Sequence, residues 1–140
     1  MRHSTVYDCS LVSFNKNPSV AGNLTVLENL RHLPFEVERV YYLYDIPGGV
    51  TRGSHAHYDL QQVIVAASGS FSIELDDGTN KRTVTLNRPY QGLLVVPGIW
   101  RTLQEFSSGS ICLVLASAWY DEDDYMRDYE TFLHYKRAGA

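Results

Sequence analysis

Two histidines one residue apart, His55 and His57, stand in the stretch Gly49-Val-Thr-Arg-Gly-Ser-His55-Ala-His57-Tyr-Asp-Leu-Gln-Gln62-Val-Ile-Val-Ala-Ala-Ser-Gly69. Imidazole titrates near neutrality, so each ring can take up a proton and return it within one turnover, or offer a lone pair to a metal. In a strand, side chains two apart share a face. If that face is inward, the two rings line one pocket and form an acid–base centre. The plainer reading is a buried, hydrogen-bonded pair of structural histidines, and the pair alone leaves both open.

Such a pair needs a strand to carry it, and the chain reads as many short strands joined by turns. Strands are expected over Val6–Phe14, Asn23–Glu28, Glu36–Tyr44, Ser54–His57, Gln62–Ala67, Ser70–Asp76, Lys81–Leu86, Gln91–Val96, Thr102–Phe106 and Ser110–Ala116. Breakers separate them, among them Pro18, Pro34, Pro47-Gly48-Gly49 and Pro97-Gly98. Asp77-Gly78 is the clearest hairpin signal, because glycine supplies the positive φ of tight turns. Glu74 and Asp76 then read as surface charges of that hairpin. The punctuation suggests a closed barrel or sandwich. One helix is expected, over Asp121–His134, where the acidic opening Asp121-Glu-Asp-Asp124 suits a positive helix N-terminus. That acidic run reads as a solvated helix start, not a metal site.

With 140 residues the chain is expected to form one domain over 1–140, without repeats or linkers. A hydrophobic content of 44% and a charged content of 20% place it among globular rather than disordered proteins. A net charge of −4 without any Lys/Arg cluster argues against a nucleic-acid partner. No apolar run is long enough for a membrane span or a secretory signal, so neither a membrane partner nor export is expected. Cys9 and Cys112 then read as reduced, buried thiols of a cytoplasmic protein. His3, His32 and His134 lie outside any motif and read as surface residues.

The spacing around the histidines resembles the first signature of the cupin superfamily: Gly49, His55, His57 and Gly69 fall in register, and Gln62 stands where that family has Glu. The stretch Gly92-Leu-Leu-Val-Val-Pro97-Gly98-Ile99-Trp100-Arg101 is similar to the second signature, with Arg101 in the place of a metal-binding His. The resemblance implies an all-β, single-domain cupin, a small barrel or jelly roll with a short C-terminal helix. The departures bear on the chemistry. Gln62 is a poorer ligand than a carboxylate, and Arg101 has no lone pair to give and would repel a cation. Two histidines are too few for a stable iron, manganese or zinc site, so neither a metal nor another cofactor is expected. Two free imidazoles beside a fixed cation suit proton transfer next to a carbonyl, by isomerisation or epimerisation through an enolate.

Longer strings extend the likeness. Pro34-Phe-Glu-Val-Glu-Arg39-Val-Tyr41-Tyr42, Arg52-Gly-Ser-His55-Ala-His57, Pro97-Gly-Ile-Trp100 and Leu115-Ala-Ser-Ala-Trp-Tyr120-Asp-Glu-Asp-Asp124-Tyr125-Met-Arg127-Asp-Tyr129 resemble the nucleotide-sugar 3,4-ketoisomerases. These enzymes convert dTDP-4-keto-6-deoxyglucose to a 3-keto isomer. The resemblance runs from about Asn23 to Tyr129. It implies a cofactor-free homodimer serving deoxy-sugar biosynthesis, with a small nucleotide-sugar as its partner and His55 and His57 as the acid–base centre.

Arg39 and Tyr41 share a strand face opposite Tyr42 and Tyr44. If they face inward, Tyr41 joins the catalytic set by holding sugar oxygens and Arg39 meets the diphosphate; core packing and a surface charge are the alternatives. Arg52 holds phosphate or is a solvated loop residue, and Arg101 is the expected oxyanion or phosphate partner. Gln62 is expected to bond a histidine or a substrate hydroxyl. Trp100 and Trp119 read as core aromatics. A 3,5-epimerase, which would pair a histidine with a lysine, is the first rival. The only lysines, Lys16, Lys81 and Lys136, lie outside the expected barrel strands. A sugar-binding cupin without turnover is the second.

Overall fold

A computed structural model describes residues 2–138. A 3-10 turn at Val6–Asp8 precedes β1 (Ser10–Ser13), β2 (Asn17–Ser19), β3 (Gly22–Leu24), β4 (Arg39–Leu43), β5 (Arg52–His57), β6 (Gln62–Ser68), β7 (Phe71–Asp76) and β8 (Lys81–Leu86). There follow β9 (Gln91–Val95), β10 (Trp100–Gln104), β11 (Ile111–Ala116), a second 3-10 turn at Glu122–Asp124, β12 (Tyr125–Met126) and helix α1 (Tyr129–Arg137). The chain is mostly β, as its residues predict.

Two antiparallel five-stranded sheets stack face to face, ordered β1-β9-β6-β11-β4 and β12-β5-β10-β7-β8, and β2 pairs with β3 as a separate hairpin. Three apolar layers hold them. Between the sheets lie Ile64, Ala66, Leu93, Val95 and Val114 from one and Phe71, Ile73, Leu75, Leu86 and Leu103 from the other. Behind the first sheet, Val63, Val65 and Leu115 meet Phe14, Leu33 and Phe35. Behind the second, Ala56 and Met126 receive Phe132 of α1. β6 is therefore buried on both faces, which explains its unbroken apolar run. Its Val63 lies against β9 so closely that a Cβ on Gly92 would stand 2.6 Å from Val63 Cγ1 and 3.2 Å from the Phe14 ring.

Several expectations are corrected. Val6–Asp8 is a turn and not strand, because Thr5 and Asp8 close a capping box over it. Pro18 sits inside β2, at the two-stranded hairpin where no further strand asks for its missing N–H. The helix begins at Tyr129, not Asp121. Asp128 caps it by accepting from Thr131 N at 3.0 Å, while the acidic run turns to place Tyr125 and Met126 beside β5. Asp76 is buried, accepting from the Tyr129 hydroxyl at 2.6 Å and from Gly78 N at 2.7 Å. The Asp77-Gly78 hairpin forms as expected, with Asp77 Oδ1 accepting from Thr79 N and Asn80 N. β1 pairs antiparallel with β9 at the edge of its sheet.

Candidate active site

One end of the space between the sheets is not filled by side chains and forms a cavity of about 500 Å³. Arg39 and Tyr41 reach it from β4, Arg52 and His55 from β5, Gln62 from β6 and Arg101 from β10. Alternation along β4 sends Tyr42 and Tyr44 outward, 59% and 61% exposed. Six of the seven expected site residues thus line one cavity.

His57 does not. It shares a strand face with His55 but lies one step deeper, fully buried under β12, whose Tyr125 pairs with it directly. It lines a separate cavity of about 220 Å³, together with Asp124, Ser117 and, from the shared wall, Arg39 and Tyr125. The His55 and His57 rings stand edge to face, 4.8 Å between centroids, and Tyr125 packs on both at 5.0 and 4.3 Å.

A bulge fixes His55. Its partner on β10 is Arg101, and Arg52 pairs with Leu103, so two residues of β5 stand against Thr102 alone. Gly53 absorbs the extra residue at φ +68°, where a Cβ would also meet Leu103 Cδ1 at 2.9 Å. The sequence Arg52-Gly53-Ser54-His55 therefore turns the imidazole toward Arg101.

Arg101 is 1% exposed. It donates from Nη1 to Gln62 Oε1 at 2.6 Å and from Nε and Nη2 to the Ile99 carbonyl at 3.2 Å. Gln62 in turn donates from Nε2 to the Tyr41 hydroxyl oxygen at 3.0 Å. Gln62 was expected on a histidine or substrate; the structure commits it to Arg101 and Tyr41. Because Gln62 donates to Tyr41, the phenol keeps its own proton free to donate into the cavity. Among the described residues no carboxylate forms an ion pair with Arg101. Burial lowers its pKa, yet a guanidinium keeps its proton in proteins, so the cavity wall carries an uncompensated cation.

That cation and burial together keep the histidines neutral. Desolvation, then the Arg101 charge, push His55 down to about 3 from its ordinary 6.5, and the same causes lower His57. Nε2 of each ring is buried and has no hydrogen-bond partner among the described residues, as is true of Nε of Arg39. Burial raises the Tyr41 phenol above its usual value. His57 Nδ1 stands 3.1 Å from Asp124 Oδ2, and burial raises the pKa of that carboxyl.

These side chains do not suit a metal ion. Gln62 Oε1 is taken by a guanidinium, Arg101 repels cations, and His57 does not line the cavity. Among the described residues no three His, Cys, Asp or Glu side chains are grouped to hold one.

The sequence reading did not assign roles to four residues here. Tyr120, Tyr125 and Arg127 line the cavity, and Asp124 holds His57. Arg127 lies 4.1 Å over the Tyr125 ring and bonds Glu122, which also accepts from the Tyr120 hydroxyl. Tyr125 and Arg127 are two apart, a strand periodicity hidden inside the expected helix. The tryptophans diverge: Trp100 packs on Tyr129 and Phe132 as expected of a core aromatic, but Trp119 is 78% exposed.

Comparison with known proteins gives a consistent family. Residues 7–137 match the FdtA family model, described as WxcM-like, C-terminal. A TDP-4-oxo-6-deoxy-alpha-D-glucose-3,4-oxoisomerase of Aneurinibacillus thermoaerophilus is 42% identical over 125 residues, covering 89% of this chain and 90% of that protein. A 3,4-ketoisomerase from Helicobacter canadensis superposes with a TM-score of 0.90 at 43% identity, over 92% of this chain and 97% of the other. A histidine-to-asparagine variant of the 3,4-ketoisomerase QdtA from Thermoanaerobacterium thermosaccharolyticum, in complex with TDP-4-keto-6-deoxyglucose, superposes at 0.93 with 34% identity, over 96% and 97%.

Proposed function

Because this chain belongs to the FdtA family and is a TDP-sugar 3,4-ketoisomerase, we propose that it moves the keto group of TDP-4-keto-6-deoxyglucose from C4 to C3 with His55 as the proton carrier. One observation carries this reading: a neutral imidazole, its buried Nε2 without a partner among the described residues, pairs across the strands with a cation to which none of those residues sets a carboxylate.

In the substrate the C4 ketone acidifies the C3 proton. His55 removes it, and the electron pair runs onto the C4 oxygen as an enediolate. The Arg101 charge offsets the developing negative charge within a low-dielectric wall. The C3 hydroxyl proton passes to the C4 oxygen, the C3–O bond becomes the ketone, and the His55 imidazolium returns its proton to C4. The Tyr41 hydroxyl holds a sugar oxygen through this exchange, and Gln62 keeps Tyr41 and Arg101 in place. Arg39, Arg52 and Arg127 ring the mouth and meet the diphosphate. His57 supports His55 from behind.

No metal takes part in this scheme, in keeping with the Arg101–Gln62 bond across the position a ligand set would need. A 3,5-epimerase fits less well, since none of the three lysines lines the cavity: Lys136 is bound to Ser4 O and Gly98 O, Lys81 faces Glu74, and Lys16 packs on Tyr90. The protein acts as one domain and as a homodimer, for which exposed Val40 and Tyr42 on edge strand β4, with Tyr44 just after it, offer an apolar surface. It works in the cytoplasm, where the unpaired thiols of Cys9 and Cys112 remain reduced.

Proton NMR of TDP-4-keto-6-deoxyglucose in deuterated water, with chelator-treated protein, tests the core of this proposal. A 3-keto sugar carrying deuterium at C4, absent with His55→Asn, is expected. Exchange at C3 and C5 with no 3-keto product would replace it with epimerisation.

A further inference from the structure

We propose that Asp124 is a positioning residue of this reaction, acting through His57 by fixing which ring nitrogen of that imidazole carries the proton. The inference rests on the ketoisomerase reading above and assigns a role to a carboxylate outside the substrate cavity.

Asp124 closes the 3-10 turn before β12, and its carboxylate is committed on all sides. Oδ1 accepts from Asp59 N at 2.8 Å, and Oδ2 accepts from Leu60 N at 3.2 Å and faces His57 Nδ1 at 3.1 Å. Its own backbone carbonyl accepts from Tyr58 N at 3.0 Å, so the turn is pinned to the segment that follows His57. A backbone N–H can only donate. Two of them therefore hold the carboxylate oxygens as acceptors, and the imidazole answers as a donor at Nδ1. The lone pair then lies at Nε2.

That nitrogen is buried and bonded to nothing among the described residues. A histidine kept only for structure ordinarily satisfies both ring nitrogens, because an orphaned buried polar atom is costly. Here one nitrogen is tied down by a charged acceptor and the other is left bare, in a ring whose centroid lies 4.8 Å from that of His55. The division matches a ring held in one tautomer by its orienter, set directly behind the base His55. Tyr125 packs against both imidazoles, tilted at 51° to His55 and 60° to His57, and so helps hold that orientation. The smaller cavity of about 220 Å³ is lined by His57 and Asp124 together, apart from the cavity that His55 lines.

The experiment is nitrogen-15 NMR of histidine-labelled protein, read beside steady-state kinetics of Asp124→Asn, His57→Gln and the double variant. His57 is expected as the Nδ1–H tautomer in the native chain and as Nε2–H in Asp124→Asn. The single Asp124→Asn change is expected to lower kcat by about 10²-fold or more with little change in KM. In the His57→Gln background it adds no further loss. An Nε2–H tautomer in the native protein, an unchanged kcat, or losses that multiply in the double variant would each overturn the proposal. The tautomer of the native chain is readable even if Asp124→Asn unfolds. Absence of turnover by the native enzyme would count against the ketoisomerase reading instead, and leaves the tautomer measurement intact.

Discussion

His55 and Arg101 are direct partners across β5 and β10, a neutral imidazole opposite a buried guanidinium that no carboxylate among the described residues offsets. The charge serves two ends: it lowers the histidine's proton affinity and awaits an anion in the cavity. Arg101→Gln separates them. It is expected to cut kcat/KM by about 10²–10³-fold, as for loss of an oxyanion donor. His55 should then titrate nearer its ordinary 6.5. Melting temperature should hold, since the change removes an unpaired buried charge. Kinetics, histidine NMR titration and calorimetry check the three parts.

Stability should depend on pH through the same histidines. Their pKa values are lowered in the folded chain, His55 to about 3 against 6.5 when unfolded, so the unfolded state binds more protons between those limits. Stability is then complete above pH 6.5 and declines as pH falls toward 3. Urea denaturation at pH 7.5 and pH 5 should show the loss, and His55→Asn should reduce its slope. A slope of opposite sign would show that the rings are protonated in the fold.

Gly53→Ala should damage the enzyme without removing any acid–base or charged group from the cavity. Its φ of +68° costs an L-residue about 1–2 kcal/mol, and the new Cβ meets Leu103. The expected result is a melting temperature lower by several degrees, with a further drop in kcat because His55 loses its register to Arg101. Native kcat at a temperature where the variant is fully folded would refute the link between bulge and catalysis.

Arg39 and Arg127 should act on binding. Arg39 lies over the Tyr41 and Tyr120 rings at 5.5 and 5.6 Å, and Arg127 over Tyr125, all at the cavity mouth. Alanine at either position is expected to raise KM by roughly 10-fold, about 1.4 kcal/mol for one charged contact to phosphate, with kcat retained. TDP binding measured by calorimetry should weaken in parallel.

Much of this site is written in short-range pattern. The alternation Arg39-Val-Tyr41-Tyr42 tells inside from outside because β4 has one buried and one open face. Gly53, His55, Gln62 and Arg101 fall at spacings that only a strand-turn-strand framework makes meaningful. What escaped were residues whose role is set by distant contacts. Asp121–Asp124 satisfies the electrostatics of a helix start and of an acidic turn equally well, and only the backbone N–H groups of Asp59 and Leu60 decide between them. His57 shows the limit of the two-residue period: it gives the face but not the depth, which is set by β12 pairing beside β5 there and bringing the Tyr125 ring against His57.

The double-sided burial of β6 has a consequence for Gln62. Where a strand shows one face to water, a slip by one residue exposes apolar groups and is punished at once. Val63, Ile64, Val65 and Ala66 are all buried, so polarity cannot tell the correct alignment of this strand from its neighbour. Shape must do so, and the missing side chain at Gly92 is the notch into which Val63 fits. A glycine far from the chemistry thus acts as a steric key, and by locking the strand it sets where the amide of Gln62 ends, between Tyr41 and Arg101.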